Sequence, residues 1–254
     1  MTDFSAFSLA GKRVLVTGAN TGIGQGISVA IAKAGGEVIG VGSSAMVQTA
    51  ALVKAEGAAF TPFASDLSDH VAAVAMLERV WESAGPIDGL VNNAGIIRRA
   101  DSVDFSESDW DEVMDVNLKS VFFLCQAFAK KALAAGRSGK IVNIASVLSF
   151  QGGIRVPSYT ASKHGVLGIT RLLACEWAAK GINVNAVAPG YVVTNNTAAL
   201  RADEERSAAI MARIPAGRWG EVSDIGGAVV FLLTAASAYM HGAVIPVDGG
   251  WLAR

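Results

Sequence analysis

Short apolar runs alternate with longer amphipathic stretches along the whole chain. The apolar runs are rich in β-branched residues, and the stretches between them have helical periodicity, which predicts strands alternating with helices. Seven strands are predicted, at residues 13–17, 37–41, 58–63, 87–91, 140–145, 183–188 and 243–247. Runs such as Val14-Leu15-Val16 are apolar at every position, so both faces of the sheet must be covered. The pattern therefore predicts a doubly wound Rossmann-type α/β sheet of seven parallel strands with helices on both faces.

The alternation continues without a linker, a repeat or a low-complexity tract. A chain of 254 residues with 52% hydrophobic content can bury one large core, so we expect residues 1–254 to form a single domain. The segment from about 194 to 213 differs from the rest because it is polar and charged and lies between a strand and a helix. We expect it to form a mobile lid.

Charge and hydropathy narrow the class of partner. The chain has 21 basic and 22 acidic residues and no basic block, which argues against a nucleic-acid or anionic membrane surface. The stretch from Ile225 to Val247 is uncharged and long enough to span a bilayer, but Gly226-Gly227 and Pro246 interrupt it. We predict a buried helix followed by a buried strand there. A small molecule is the expected partner.

The N-terminus and the cysteines indicate the compartment. The chain does not begin with a basic segment followed by an apolar one, so we expect a cytoplasmic protein and not a secreted one. Cys125 and Cys175 lie in apolar, helix-like stretches without the spacing of a zinc site or a redox pair. We expect two buried, reduced thiols and no metal site.

A glycine-rich turn joins the first predicted strand to a helix over 25–33. Gly18 would permit the tight turn, and Gly22 and Gly24 would let a pyrophosphate and the strand approach the backbone. The first helical N–H groups and the positive end of the helix dipole would face the phosphates. We therefore assign to a dinucleotide cofactor the residues Gly18, Asn20, Thr21, Gly22, Ile23 and Gly24.

Further polar and small residues follow other strands at their carboxyl ends, which is where ligands bind in open parallel sheets. Asp66 and Leu67 follow the third strand and are placed to bond the adenine. We add to the cofactor site Ser43, Asp66, Leu67, Asn93, Ala94, Gly95, Pro189, Gly190, Val192 and Thr194. A glycine turn alone is a weak indication of a dinucleotide site. The additional motifs at the other strand ends make that prediction specific.

The end of the second strand bears on the choice between NAD and NADP. A carboxylate there would hold the ribose 2′-OH and repel a 2′-phosphate, but this chain reads Gly42-Ser43-Ser44. Ser43 and Ser44 can donate to either group, or they can cap the following helix. Both cofactors therefore remain compatible with the sequence.

Ser146, Tyr159 and Lys163 form the candidate catalytic set. Tyr159 and Lys163 are four residues apart near the start of a helix, so they share one face, and Ser146 ends the fifth strand. Lowering a tyrosine pKa from ~10 to ~7 requires roughly 4 kcal/mol, which a cation about 4 Å away supplies at an effective dielectric of ~20. We therefore expect Lys163 to lower the pKa of Tyr159, making it an acid or base near neutral pH. Ser146 would bond the substrate oxygen, and Asn117 would hold a water that relays protons from Lys163.

These motifs together resemble the short-chain dehydrogenase/reductase family over essentially the whole chain. The matching residues are Thr17-Gly18 with Gly22-Ile23-Gly24, Asn92-Asn93-Ala94-Gly95, Asn117, Ser146, Tyr159 with Lys163, and Pro189-Gly190 with Thr194. The joint order is specific, whereas Tyr159 and Lys163 alone would describe any exposed pair on a helix. The resemblance implies an NAD- or NADP-dependent oxidoreductase, with Tyr159 and Lys163 also touching the cofactor, and a homotetramer.

Five further segments resemble the sugar-acid members of that family, the 2-dehydro-3-deoxy-D-gluconate 5-dehydrogenases, also labelled 2-deoxy-D-gluconate 3-dehydrogenases. They are residues 93–99, 148–159, 194–197, 213–220 and 248–254. The resemblance implies interconversion of a secondary alcohol and a ketone on a keto or deoxy sugar acid such as 2-dehydro-3-deoxy-D-gluconate.

Arginines and amides near the predicted site fit an acidic sugar, since a guanidinium can hold a carboxylate bidentately. The candidate substrate residues are Arg98, Arg99, Gln151, Arg155, Asn195 and Asn196. Trp219 and Trp251 would wall the pocket or pack between subunits. A polyol, another gluconate-type substrate or an acyl-chain ketone is an alternative substrate, and a nucleotide-binding protein without catalysis is an alternative class.

Overall fold

The computed structural model describes residues 4–254. Within that range the strands are β1 (Arg13–Thr17), β2 (Glu37–Gly42), β3 (Phe60–Ala64), β4 (Gly89–Asn92), β5 (Gly139–Ile144), β6 (Ile182–Pro189) and β7 (Val244–Val247). They form a seven-stranded sheet in the order β3-β2-β1-β4-β5-β6-β7 with every neighbouring pair parallel. The predicted doubly wound fold is confirmed.

Helices cover both faces of the sheet. They are α1 (Gly22–Lys33), α2 (Val47–Ala55), α3 (His70–Ala84), α4 (Glu107–Met114), α5 (Ser120–Ala134), α6 (Pro157–Trp177), α7 (Ala198–Ala202), α8 (Glu204–Met211) and α9 (Val222–Leu233). A wider turn of π-helix, Asp115–Lys119, joins α4 to α5.

Alternation along β1 shows how the two faces are filled. Val14 and Val16 pack in a cluster with residues of α1 and α9, whereas Leu15 packs with residues of α3 and α5 on the opposite face. All three side chains are buried because both faces carry a helix layer. The continuous apolar strands of the sequence are therefore explained by a sheet covered on both sides.

The strand order creates the crevice for a ligand. After β1 the chain builds outward to β2 and β3, and then returns to place β4 on the other side of β1. The connections leaving β1 and β4 therefore diverge at the carboxyl edge of the sheet, which leaves an opening between them. Every segment predicted to touch the cofactor leaves the sheet at this edge.

The cysteines and the uncharged stretch from Ile225 each differ in part from the sequence prediction. Cys125 is buried as expected, but the expectation for Cys175 is wrong, because the apolar run around it belongs to α6 and Cys175 lies on the exposed side of that helix. The uncharged stretch from Ile225 divides into α9 and β7 as predicted, although β7 is only partly buried. Among the described residues, none of the helices has the length and apolar character needed to cross a bilayer.

Candidate active site

The glycine turn after β1 has the backbone that its sequence predicts. Gly18 and Gly22 have φ angles of 65° and 57°, a left-handed region that favours glycine. A Cβ on Gly24 would collide with the carbonyl oxygen of Gly18, so Gly24 allows α1 to pack against the turn. Within the described residues no side chain caps α1 at Thr21, and its first N–H groups can serve a phosphate.

A buried threonine ties this turn to the loop after β4. The hydroxyl oxygen of Thr17 accepts hydrogen bonds from the backbone N–H groups of Asn93 and Ala94, both at 3.0 Å. In return, Asn93 Nδ2 donates to the Thr17 carbonyl oxygen at 2.9 Å. These three bonds fix the two sides of the crevice relative to each other.

The crevice is a cleft of about 400 Å³ along the carboxyl edge of the sheet. Every predicted cofactor residue lines it except Gly24, whose role is the packing just described. The lining also includes residues that sequence reasoning missed: Gly42, Ser65, Ile96, Val116, Ile144, Ala145 and Thr197. Most of these directly adjoin a predicted motif or strand end, so extending each motif by one position would have found them.

At the end of β2, Ser44 is engaged by the glycine turn. Asn20 Nδ2 donates to Ser44 Oγ at 2.8 Å, which leaves the Ser44 hydroxyl proton free to be donated elsewhere. Helix α2 begins after Met46, so the alternative that Ser43 or Ser44 caps it is wrong. Across the cleft, hydrogen bonds from the Ser68 backbone and hydroxyl hold the pKa of Asp66 below its usual range. Asp66 is therefore an anionic acceptor at neutral pH.

Helix α6 delivers Tyr159 and Lys163 to the cleft. Pro157 occupies its first turn, where a missing N–H costs nothing, and the two functional side chains follow on one face. Lys163 is buried, and its Nζ donates to the Ile144 carbonyl oxygen at the end of β5 at 2.6 Å. Burial lowers the pKa of Lys163 to about 8.

Ser146 stands opposite Tyr159 at the end of β5. Its hydroxyl accepts a hydrogen bond from Leu148 N at 3.1 Å, and its own N–H donates to Ser149 Oγ at 3.2 Å. Ser149 in turn donates to the Lys163 carbonyl oxygen at 2.7 Å, which joins this turn to α6. The chain thus holds Ser146, Tyr159 and Lys163 together before any substrate arrives.

The expected lowering of the Tyr159 pKa by Lys163 is not found. Burial raises the pKa of Tyr159, and it is opposed by a hydrogen bond with the Ser146 side chain and by the positive charge of Arg99. Lys163 Nζ lies 5.6 Å from the centre of the Tyr159 ring and is bonded to Ile144 instead. The simple Coulomb estimate failed because it left out the cost of burying the phenolate and the ammonium.

Asn117 lies in the wider π turn between α4 and α5. Its Oδ1 accepts from Ile96 N at 2.9 Å, and its Nδ2 donates to Ile96 O at 2.9 Å and to Ser162 Oγ at 3.3 Å. The side chain therefore braces the loop after β4 against α6. The Asn117 side-chain amide already bonds protein groups at both its oxygen and its nitrogen. The water relay predicted there therefore stays a prediction, and these contacts do not support it.

The three predicted arginines have different surroundings. Arg98 is held by Glu112 through two hydrogen bonds of 2.9 and 2.7 Å, and Arg155 pairs with Asp101 at 3.0 Å. Arg99 Nη2 instead donates to the carbonyl oxygen of Asn196 at 2.9 Å.

Asn195 and Asn196 line the cleft, whereas Arg98, Gln151 and Arg155 lie outside its lining. Arg99 is also outside the lining but reaches Asn196, so it is the predicted arginine that adjoins the cleft. Its charge acts on Tyr159, and the spacing of the three arginines along the chain does not show which of them does so.

An aromatic cluster borders the same end of the cleft. Tyr191 follows Gly190, and its ring centre lies 5.6 Å from that of Trp219 and 4.7 Å from that of Trp251. Trp219 and Trp251 were predicted as wall or packing residues, and here they pack on Tyr191. Tyr191 itself was missed, although its place directly after Pro189-Gly190 was a signal.

Comparison with known proteins agrees with this geometry. The family model described as enoyl-(acyl carrier protein) reductase matches residues 18–252. The 2-dehydro-3-deoxy-D-gluconate 5-dehydrogenase of Escherichia coli K12 is 58% identical over 98% of this chain and 99% of its own. The chain belongs to the short-chain dehydrogenase/reductase family.

Solved structures of this family are closely similar. A provisionally named 2-deoxy-D-gluconate 3-dehydrogenase from Agrobacterium tumefaciens, with bound NADP, is 62% identical with a TM-score of 0.94, covering 98% and 99% of the two chains. A gluconate 5-dehydrogenase from Burkholderia cenocepacia in complex with NADP and tartrate is 37% identical with the same TM-score, covering 98% of each chain. The predicted enzyme class is confirmed for this short-chain dehydrogenase/reductase.

Proposed function

We propose that the protein is an NAD(P)-dependent oxidoreductase that interconverts a secondary alcohol and a ketone on a keto or deoxy sugar acid, with 2-dehydro-3-deoxy-D-gluconate as the substrate of first choice. One observation carries this proposal. Lys163 is buried and Tyr159 is half-buried, side by side at the cleft, beside Ser146 and within reach of the charge of Arg99. A dinucleotide site, a proton donor and an unpaired cation meet there. The relatives named for sugar acids support the substrate class.

When bound, a nicotinamide dinucleotide supplies the hydride exchange, and the chain supplies positions and protons. Tyr159 donates a proton to the carbonyl oxygen in reduction and removes one from the hydroxyl in oxidation. Ser146 donates a hydrogen bond to the same oxygen. Lys163, fixed by Ile144, keeps a positive charge beside the phenol. The Thr17 and Asn93 bonds fix the glycine turn and the loop after β4 relative to each other on the cofactor side of the cleft.

The raised pKa of Tyr159 sets the pH dependence of each direction. Because burial favours the protonated phenol, Tyr159 is present as the acid at neutral pH, which suits ketone reduction. Oxidation needs the deprotonated form, so we expect its kcat to rise as pH increases toward that raised pKa, while reduction falls. A kcat for oxidation that is flat between pH 6 and 10 would contradict this role.

Arg99 is our candidate for the substrate carboxylate. Among residues 4–254 it has no carboxylate within 4 Å, whereas Arg98 and Arg155 are already paired with acids. Arg99→Met should lower kcat/KM for the acid substrate by on the order of 10²-fold, as expected for a partner lost from a charge pair worth 2–5 kcal/mol. A neutral carbonyl compound of similar size should lose little, and Arg155→Met should spare both.

Segment 194–213 is proposed as the lid over this substrate. It contains the short helical turn Asn195–Thr197, then α7 and α8, and most of its side chains are exposed. Hydrogen bonds from the Thr197 hydroxyl to the Val192 and Thr194 carbonyl oxygens, at 2.7 and 3.1 Å, close its first turn. Short helices with little buried surface open at low cost. A single domain, residues 1–254, would then carry cofactor, chemistry and lid.

Two further parts of the proposal rest on resemblance and composition. We propose a homotetramer in the cytoplasm, because the family resemblance implies four subunits and because Cys125 and Cys175 are free thiols, as is usual in a reducing compartment. Light scattering at micromolar concentration tests the assembly. A monomer in that measurement would contradict it.

A cofactor and substrate panel tests the proposed reaction. The purified protein is incubated with NADH or NADPH and with keto sugar acids, neutral keto sugars and an acyl-chain ketone, and absorbance at the nicotinamide band is followed. We expect turnover with keto sugar acids and measurable use of both cofactors. Faster turnover of the neutral sugars or the acyl ketone would overturn the substrate class, and cofactor binding without any turnover would favour a nucleotide-binding protein.

A further inference from the structure

Helix α8 is attached to the rim of the cleft by its apolar face. Ile210 packs in a cluster with Tyr191, Ile214 and Trp251. Arg206 lies one helical turn before Ile210 and therefore on the same face. The N-terminal end of α8 leads back through α7 to Asn195–Thr197, which lines the cleft. Arg206 thus stands between the anchoring contact and the cleft lining.

Arg206 and Arg99 belong to two different segments that meet at this rim, and their charges act on each other. Arg99 comes from the loop after β4 and is fixed to Asn196, a residue of the lid. Burial lowers the pKa of Arg99, and the charge of Arg206 lowers it further. Arg206 also acts on Tyr191, which adjoins the cleft. In the described part of the chain, neither guanidinium has a carboxylate within 4 Å, so both positive charges are left without an acidic partner.

The guanidinium groups of the other two lid arginines each have a partner within the protein. Arg201 Nη2 donates to the Thr194 carbonyl oxygen at 3.2 Å, and the Arg213 guanidinium lies 3.9 Å from the centre of the Trp251 ring. Arg206 differs because only its backbone N–H, which bonds Asp203, has a recorded partner within residues 4–254. Its side chain is the one free to serve a ligand.

We propose that Arg206 is a second substrate-binding arginine, which joins Arg99 in holding the carboxylate of the sugar acid. The proposal rests on the sugar-acid function above and adds to it a way in which the substrate carboxylate controls the lid. A carboxylate placed between the two guanidinium groups relieves their repulsion and draws α8 toward the loop after β4. A neutral sugar leaves the repulsion in place. The lid therefore closes in response to the charge of the substrate.

Steady-state kinetics on the full chain test this role. We compare the wild type with Arg206→Met and Arg206→Lys, using 2-dehydro-3-deoxy-D-gluconate and its C1 amide. Arg206→Met should raise KM for the acid about tenfold, change kcat less, and leave KM for the amide near the wild-type value. Arg206→Lys should recover part of the loss because it restores charge without the planar fork. Equal changes for acid and amide, or none, would overturn the proposal.

Arg79→Met is the matched control. Arg79 is an exposed arginine on α3, away from the cleft lining, so its loss removes the same charge from another helix. It should leave both KM values unchanged. A tenfold rise in KM for the acid with Arg79→Met would show a general effect of net charge and would overturn the assignment to Arg206.

A binding measurement separates this proposal from the proposed reaction. Gluconate is titrated into the NADP-loaded enzyme by calorimetry, with no turnover required. Tighter binding by the wild type than by Arg206→Met supports the arginine pair even if no keto sugar acid is turned over, a result that would refute the reaction alone. Equal affinities in the two proteins, or no gluconate binding to the wild type, would overturn the arginine pair.

Discussion

The two ends of the cleft recognise their ligands in different ways. At the cofactor end, backbone shape does the work: Gly18 and Gly22 adopt left-handed conformations, and Thr17 ties the turn to the next loop. At the substrate end, long side chains such as Arg99 and Arg206 project from a loop and from short exposed helices. We therefore propose that the first end is formed in advance and that the second, which carries the proposed lid, moves. A fixed cofactor site and an adjustable substrate site suit an enzyme whose family shares one cofactor chemistry.

Removing Lys163 should have the largest effect, since it lies where the two ends meet. Lys163→Met deletes the buried ammonium that lies beside Tyr159 and bonds Ile144. We expect kcat to fall by at least ~10²-fold and cofactor affinity to weaken. Near-normal kcat and cofactor affinity in this variant would remove Lys163 from the proposed chemistry.

Filling the glycine turn should injure the cofactor end selectively. Gly24→Ala places a methyl group against the Gly18 carbonyl oxygen, so the turn or α1 must shift. We expect the free energy of unfolding to fall by about 1–3 kcal/mol, as overpacking usually costs, and the NADPH dissociation constant to rise at least tenfold. Denaturant titration and NADPH fluorescence measure the two quantities.

Gly168→Ala is the control for that change. Gly168 lies in α6, and a Cβ there would meet no atom within 4 Å. Alanine should stabilise the helix by about 0.5–1 kcal/mol without altering cofactor affinity. If Gly24→Ala behaved like Gly168→Ala, the cofactor end would not be the rigid site described here.

The smallest expected effect concerns the choice of cofactor. Ser43→Asp places a carboxylate in the cleft lining after β2, near Ser44 and Asn20. It should lower kcat/KM with NADP several times more than with NAD, because the carboxylate repels a 2′-phosphate and can hold a 2′-OH. Equal losses with the two cofactors would mean that the 2′ position is recognised elsewhere.

The difference between the two ends also explains what sequence could predict. A site formed by the backbone requires particular residues at fixed intervals along the chain. Gly18, Gly22 and Asn93 were therefore predicted from the order of the motifs, and the sheet was predicted from the order of the apolar runs. Whether a side chain can bind a ligand depends on which other side chains the fold brings beside it. Arg98 and Arg99 are adjacent in sequence, yet Glu112, fourteen residues on, pairs with one of them only.

The degree of burial of individual side chains on α6 could not be predicted from the sequence either. Lys163 and Tyr159 were correctly placed on one face of α6, but their pKa values depend on how deeply that face is covered. The exposure of Cys175 on the same helix was misjudged for a related reason. A helix of mixed composition does not show which apolar residues face solvent until its neighbours are known.

The role of Tyr159 is the central claim, and one paired measurement on Tyr159→Phe tests it most directly. The change removes the hydroxyl and keeps the ring in the cleft lining, so NADPH should bind with wild-type affinity while kcat for the keto sugar acid falls by at least ~10²-fold at every pH. Near-normal kcat with intact NADPH binding would contradict the account and remove Tyr159 from the mechanism.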